Sequence, residues 1–155
     1  MPRFLLLILT ILILGAPPTE AQVRFKRGAL TFVQSAKTAT LQVEVADTAA
    51  SRAQGLMNRT RLPEDAGMLF IFEETGNWGF WMKNTLIPLS IAFIGPDWRI
   101  VDVVDMAVAD DPKTGPFPIY QSQKPFKYAL EVNQGYFKRK GLGIGAVGTY
   151  RPQSP

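Results

Sequence analysis

Apolar residues in this chain come in runs of strand length, and that feature limits the fold more than any other. Leu41-Gln42-Val43-Glu44-Val45 alternates apolar and polar positions as a half-buried strand does, with Leu41, Val43 and Val45 pointing inward. Met68-Leu69-Phe70-Ile71-Phe72 is unbroken, which implies burial on both faces. Further strand-like runs are Val23 to Phe25, Leu30 to Val33, Gly79 to Lys83, Leu89 to Ile94, Arg99 to Val104, Tyr128 to Val132 and Ala146 to Tyr150. Gly95-Pro96-Asp97 reads as the turn of a hairpin. Helical signals are few. Asp47-Thr48 offers an N-cap for an amphipathic helix over Ala49 to Met57, and Tyr136 to Lys140 suits one short turn. Pro112, Pro116, Pro118 and Pro125 make residues 109 to 126 a long irregular loop, of a length that often covers functional sites. The expected fold is mainly β: a β-rich sandwich or partly closed barrel with one short amphipathic helix and a long Pro-rich loop. Phe70, Phe72, Phe93, Leu130 and Val43 are expected to share one core.

The N-terminus reads as an export signal. Arg3 supplies a positive start, Phe4 to Leu14 is apolar except for Thr10, and Thr19-Glu20-Ala21 resembles a small-residue cleavage site. Gly15-Ala16-Pro17-Pro18 ends the apolar run well short of the ~20 residues that a membrane span requires. Residues 1 to 21 are therefore expected to be removed, leaving 22 to 155 as a single periplasmic or secreted domain with no stable membrane span.

Composition excludes several chemistries. With no His and no Cys, the chain cannot build the usual zinc sites, a Ser-His-Asp or Cys-His nucleophile, a thiol redox centre or a disulfide. Neither metal nor cofactor is expected. The formal charge of +4 is too small to argue for nucleic acid, and Arg24-Lys26-Arg27 and Lys138-Arg139-Lys140 read as solvated turns or as a general attraction to anionic surfaces.

The segment Phe80-Trp81-Met82-Lys83-Asn84-Thr85 places a large aromatic, a cation and an amide side by side. In a strand, Phe80, Met82 and Asn84 share one face and Trp81, Lys83 and Thr85 the other. Trp81 beside Lys83 suits a stacking or binding platform; equally, Lys83 can snorkel along the sheet to a carboxylate. Asn84 is either a ligand contact or a turn residue bonded to local backbone. Arg52 and Arg59 are seven residues apart, on one stripe of a helix, and two guanidinium forks facing one way suit a carboxylate or phosphate. The structural alternative pairs Arg52 with Glu131 or Glu44. Met57, Met68 and Met82 have the chemistry of a copper(I) site, although core filling is the ordinary use of Met. Asp102 and Asp105 point to opposite faces of a strand and Glu64-Asp65 lies in a turn, so neither pair forms a catalytic couple.

Four elements combine into a resemblance: Arg52-x-x-Gly55-Leu56-Met57-x-Arg59, Gly67-Met68-Leu69-Phe70, Phe80 to Leu89, and Tyr128-x-Leu130-Glu131 followed by Gly135. In this order and at these distances the chain, from about Leu41 to Tyr150, resembles the domain of unknown function 192 family. That resemblance implies a compact β-rich domain, often exported, with no established activity or cofactor. Ser90 and Ala146 stand where the family usually carries Asp.

The leading functional expectation is a non-catalytic domain that binds a small polar or anionic ligand, or the surface of an envelope protein, through Arg52, Arg59, Trp81, Lys83, Asn84 and Glu131. A metal-independent enzyme using Lys83 and Glu131 as acid-base groups is the first alternative. A structural envelope accessory protein is the second.

Overall fold

A computed structural model describes residues 23–154. The proposed export signal lies outside the described residues. Seven strands and two short helices follow one another as β1 (Lys26–Gln34), β2 (Lys37–Ala46), α1 (Ala49–Gln54), β3 (Ala66–Gly76), β4 (Leu89–Ile94), β5 (Ile100–Met106), β6 (Phe126–Asn133), α2 (Tyr136–Lys140) and β7 (Val147–Pro152). All seven strands join one sheet in the order β5-β4-β6-β3-β2-β1-β7. Every neighbouring pair is antiparallel except β2 and β3, which run parallel because the chain crosses between them through α1.

The sheet curls until its edge strands meet at one corner, where Arg99 bridges Val147 and the Ile100 N–H donates to the Ala146 carbonyl at 2.9 Å. It is a mainly β fold, an open barrel that does not close along the rest of that seam. No described helix is long and apolar enough to cross a membrane.

Curling gives the sheet two differently covered faces, and the single expected core is in fact two. Leu30, Phe32, Leu41, Val43, Leu69, Leu130 and Val132 pack inside the curl together with Tyr136 and Phe137 of α2. Met68, Phe70, Leu89, Ile91, Phe93 and Phe126 face outward, buried under Leu56, Phe80, Met82 and Ile87. Val43 and Leu130 therefore belong to the inner cluster, and Phe70 and Phe93, with Phe72 against them, to the outer one. The physical reason is alternation: in a strand covered on both sides, successive residues serve different cores. β4 shows this most fully, with all six residues buried.

Local signals act as their chemistry dictates. Thr48 caps α1 in a reciprocal capping box with Ser51. Gly55, at φ 48°, ends the helix, so α1 is shorter than the apolar pattern suggests. The Gly95 turn closes the β4–β5 hairpin through its N–H to the Arg99 carbonyl at 2.9 Å. The expected strand over Gly79 to Lys83 does not form. Its ladder is a single bridge between Phe80 and Tyr120 of the Pro-rich loop, with reciprocal N–H to O distances of 2.9 and 2.8 Å.

Candidate functional site

A pocket of about 90 Å³ opens on the outer face, between the end of α1, the Gly79 to Thr85 segment and the sheet. Arg52, Gln54, Gly55, Leu56, Trp81 and Thr85 form its rim and cover, and Phe70, Phe80 and Glu131 its floor and walls.

Three backbone features position these residues. Gly67 lets β3 and β6 approach closely, since a side chain there would meet the Glu131 carbonyl at 2.7 Å. Gly55 turns the chain away from α1 over the Phe70 ring. Asn84, at φ 51°, is a junction: its carbonyl accepts from the Asn58 N–H at 2.7 Å, and its own N–H donates to the Pro112 carbonyl at 2.6 Å. Of the two readings open for Asn84, its backbone geometry is that of the turn residue. It ties the α1 turn, the Trp81 segment and the Pro-rich loop into one cover.

Glu131 supplies the chemistry. It faces outward from β6, beside Met68 on β3 and Ile91 on β4, and is only 5% exposed. Burial alone pushes its carboxyl up to about 8, with no hydrogen bond or neighbouring charge offsetting the desolvation. The carboxyl is thus largely protonated at neutral pH.

The structure brings Arg52, Trp81 and Glu131 together at the pocket and distributes Arg59, Lys83 and Asn84 elsewhere. Arg52 does not pair with Glu131 or Glu44. Its Nη1–H donates to the Ile71 carbonyl at 2.9 Å, and its guanidinium lies 5.3 Å from the centre of the Phe72 ring. Arg59 lies beyond the end of α1, so the shared helical stripe does not exist; Arg59 instead pairs with Glu44 and approaches Phe25. Lys83 sits 5.5 Å from the centre of the Trp81 ring. Trp81 is 48% exposed and packs edge-on against Phe117 of the Pro-rich loop. Thr85, expected on the same face as Trp81, is buried instead, its hydroxyl donating to the Lys83 carbonyl at 3.2 Å. That turn breaks the strand alternation. Met68 and Met82 fill the outer core and Met57 lines the pocket.

One polar cluster escapes sequence reasoning. The buried Ser90 hydroxyl donates to Asp105 on β5 and accepts from the Gly135 N–H at 2.8 Å. Ala146 is fully buried in the inner core. Ser90 and Asp105 sit far apart in sequence; the signal was the replacement at position 90, which says nothing about its partner.

Comparison with known proteins places this geometry. The profile of the DUF192 family, described as "Uncharacterized ACR", matches residues 31–148. The chain belongs to the DUF192 family. Among solved structures, it is similar to a putative transcription regulator from Sinorhizobium meliloti 1021, with 34% identity, a TM-score of 0.76, and coverage of 84% of this chain and 98% of that one. It is also similar to a protein of unknown function from Novosphingobium aromaticivorans DSM 12444, with 29% identity, a TM-score of 0.72, and coverage of 88% and 94%. No curated protein matches the chain. For this DUF192 protein the four motif elements do distinct jobs: Gly67 lets β3 approach β6, Phe70 and Glu131 build the pocket floor, Arg52 and Gly55 its rim, and the Trp81 segment its cover.

Proposed function

We propose that this DUF192 protein is an exported, non-catalytic binding domain that takes a small polar ligand in the pocket above Glu131. The observation that carries the reading is a nearly fully buried carboxyl, without a partner, at the floor of an open pocket. Buried polar groups are normally satisfied by the protein itself, and one left free in a cleft marks a functional site. Trp81 at the rim supplies an apolar plane against which a ligand can lie.

The acid-base alternative has less support, because Lys83 is not among the residues lining the pocket and leans on Trp81 instead. Docking of an envelope partner draws support from Trp78, Trp81 and Ile119, whose side chains are exposed on the cover. Export rests on the sequence of residues 1 to 21.

Native mass spectrometry of the protein purified from its own envelope fraction tests the reading, with Glu131→Gln alongside. A small mass adduct on the parent that is lost from the folded variant supports it. An adduct retained by the variant, or no adduct on either, contradicts it.

A further inference from the structure

Glu131 and Arg52 line the same small pocket yet form no ion pair, and Arg52 has only one of its N–H groups committed, to Ile71. Among the described residues the ion pairs are Lys26 with Asp47, Arg59 with Glu44, Arg99 with Asp97, and Lys140 with Asp65. An unpartnered carboxyl and a guanidinium that share a pocket without pairing fit a ligand that brings a counterpart to each. We infer that the ligand is a small zwitterion, an amino-carboxylate whose ammonium meets Glu131 and whose carboxylate meets Arg52. This rests on the binding reading above.

Each simpler ligand leaves part of the pocket unmatched. A lone cation gains Glu131 but faces the Arg52 guanidinium, and a lone anion gains Arg52 and the Glu131 O–H but brings no ammonium to the aromatic rings beside them. A zwitterion satisfies both, with the remaining guanidinium donors on its carboxylate. The rings of Phe70, Phe80 and Trp81 at the pocket favour an adjacent ammonium. A volume of about 90 Å³ limits the bound part to a few non-hydrogen atoms, the size of glycine or alanine or of the end group of a longer molecule.

Binding carries a proton signature. Glu131 is flanked by Met68 and Ile91 on the sheet and covered by Leu56, Trp81 and Thr85, and Arg52 is the charged residue that joins it at the pocket. Near neutral pH its carboxyl holds a proton. When the ammonium arrives, the carboxyl O–H breaks, the carboxylate pairs with the ammonium, and the proton passes to the buffer.

The test is calorimetric titration with glycine and alanine in phosphate and in Tris, whose ionisation heats differ. Methylammonium and acetate serve as half-ligands, and amide NMR spectra map the site. Saturable binding of glycine or alanine at pH 7 is expected, with shifts at the pocket and release of close to one proton per ligand. Both half-ligands should bind at least tenfold more weakly. Glu131→Gln and Arg52→Gln should each lose about tenfold or more in affinity while keeping the parent's dispersed spectrum. If either variant fails to fold, proton release and the half-ligand comparison on the parent still decide. Equal binding of methylammonium or acetate, or binding without proton release, overturns the zwitterion and leaves the pocket reading intact. No response to any of the four probes at millimolar concentration also overturns it, and the adduct measurement above then decides the pocket reading separately.

Discussion

Ser90 and Glu131 occupy adjacent rungs of the β4–β6 ladder, where Ser90 opposes Val132 and Ile91 opposes Glu131, but they project from opposite faces of the sheet. On the inner face, the Ser90 hydroxyl is held from both sides by Asp105 and Gly135. On the outer face, Glu131 is as deeply placed and has no such partner. Regular structure covers the inner face: the curl of the sheet and α2. The outer face is covered by the α1 turn and irregular loops, which meet at the Asn84 junction and leave a gap over Glu131. The Ser90 hydroxyl is satisfied by the scaffold and the Glu131 carboxyl under the loops is not, while the inner core keeps one unpartnered group of its own, the Tyr136 hydroxyl, sealed among apolar side chains rather than at a pocket.

The two faces should differ most in their response to pH. Glu131 has its folded-state pKa raised to about 8 from 4.5, so the folded protein holds a proton that the unfolded chain releases. The resulting stability is fully present below about 4.5 and is lost as pH rises through 8, at up to about 1.4 kcal/mol per pH unit. Denaturant melts between pH 4.5 and 8 should show this slope in the parent and lose it in Glu131→Gln. Parallel curves for the two proteins would erase the distinction between the faces.

Truncation separates packing from site. Phe32→Ala, inside the curl, and Phe70→Ala, beneath the pocket, should each cost ~3 to 5 kcal/mol by equilibrium denaturation. Only Phe70→Ala should also disturb the Trp81 indole resonance. Ser90→Ala strands Asp105 and the Gly135 N–H and should cost about 1 to 3 kcal/mol while leaving that resonance in place. Arg59→Leu removes only a part-exposed ion pair with Glu44 and should cost under about 1 kcal/mol.

How much of this was legible in the sequence follows from how local each signal is. The apolar runs at 68–72 and 89–94, the Thr48 cap and the Gly95 turn are local, and the structure keeps them all. The division into two cores was not legible, because it depends on which face the loops come to cover. Gly79 to Lys83 has strand composition but finds its only ladder partner at Tyr120 in the Pro-rich loop. At the site, strand alternation and motif spacing led to Glu131, Trp81 and Arg52. The partners of Arg52 and Arg59 were not legible: Gly55 stops α1 between them and sends the two side chains to different places.

Whether Glu131 is a buried carboxyl left without a partner can be read from a carbon-13 NMR titration of its Cδ. A midpoint near 8 is expected in the ligand-free protein, moving down when a ligand pairs with the carboxyl. A midpoint at the ordinary glutamate position would contradict it, since Glu131 would then be solvated or already paired within the fold.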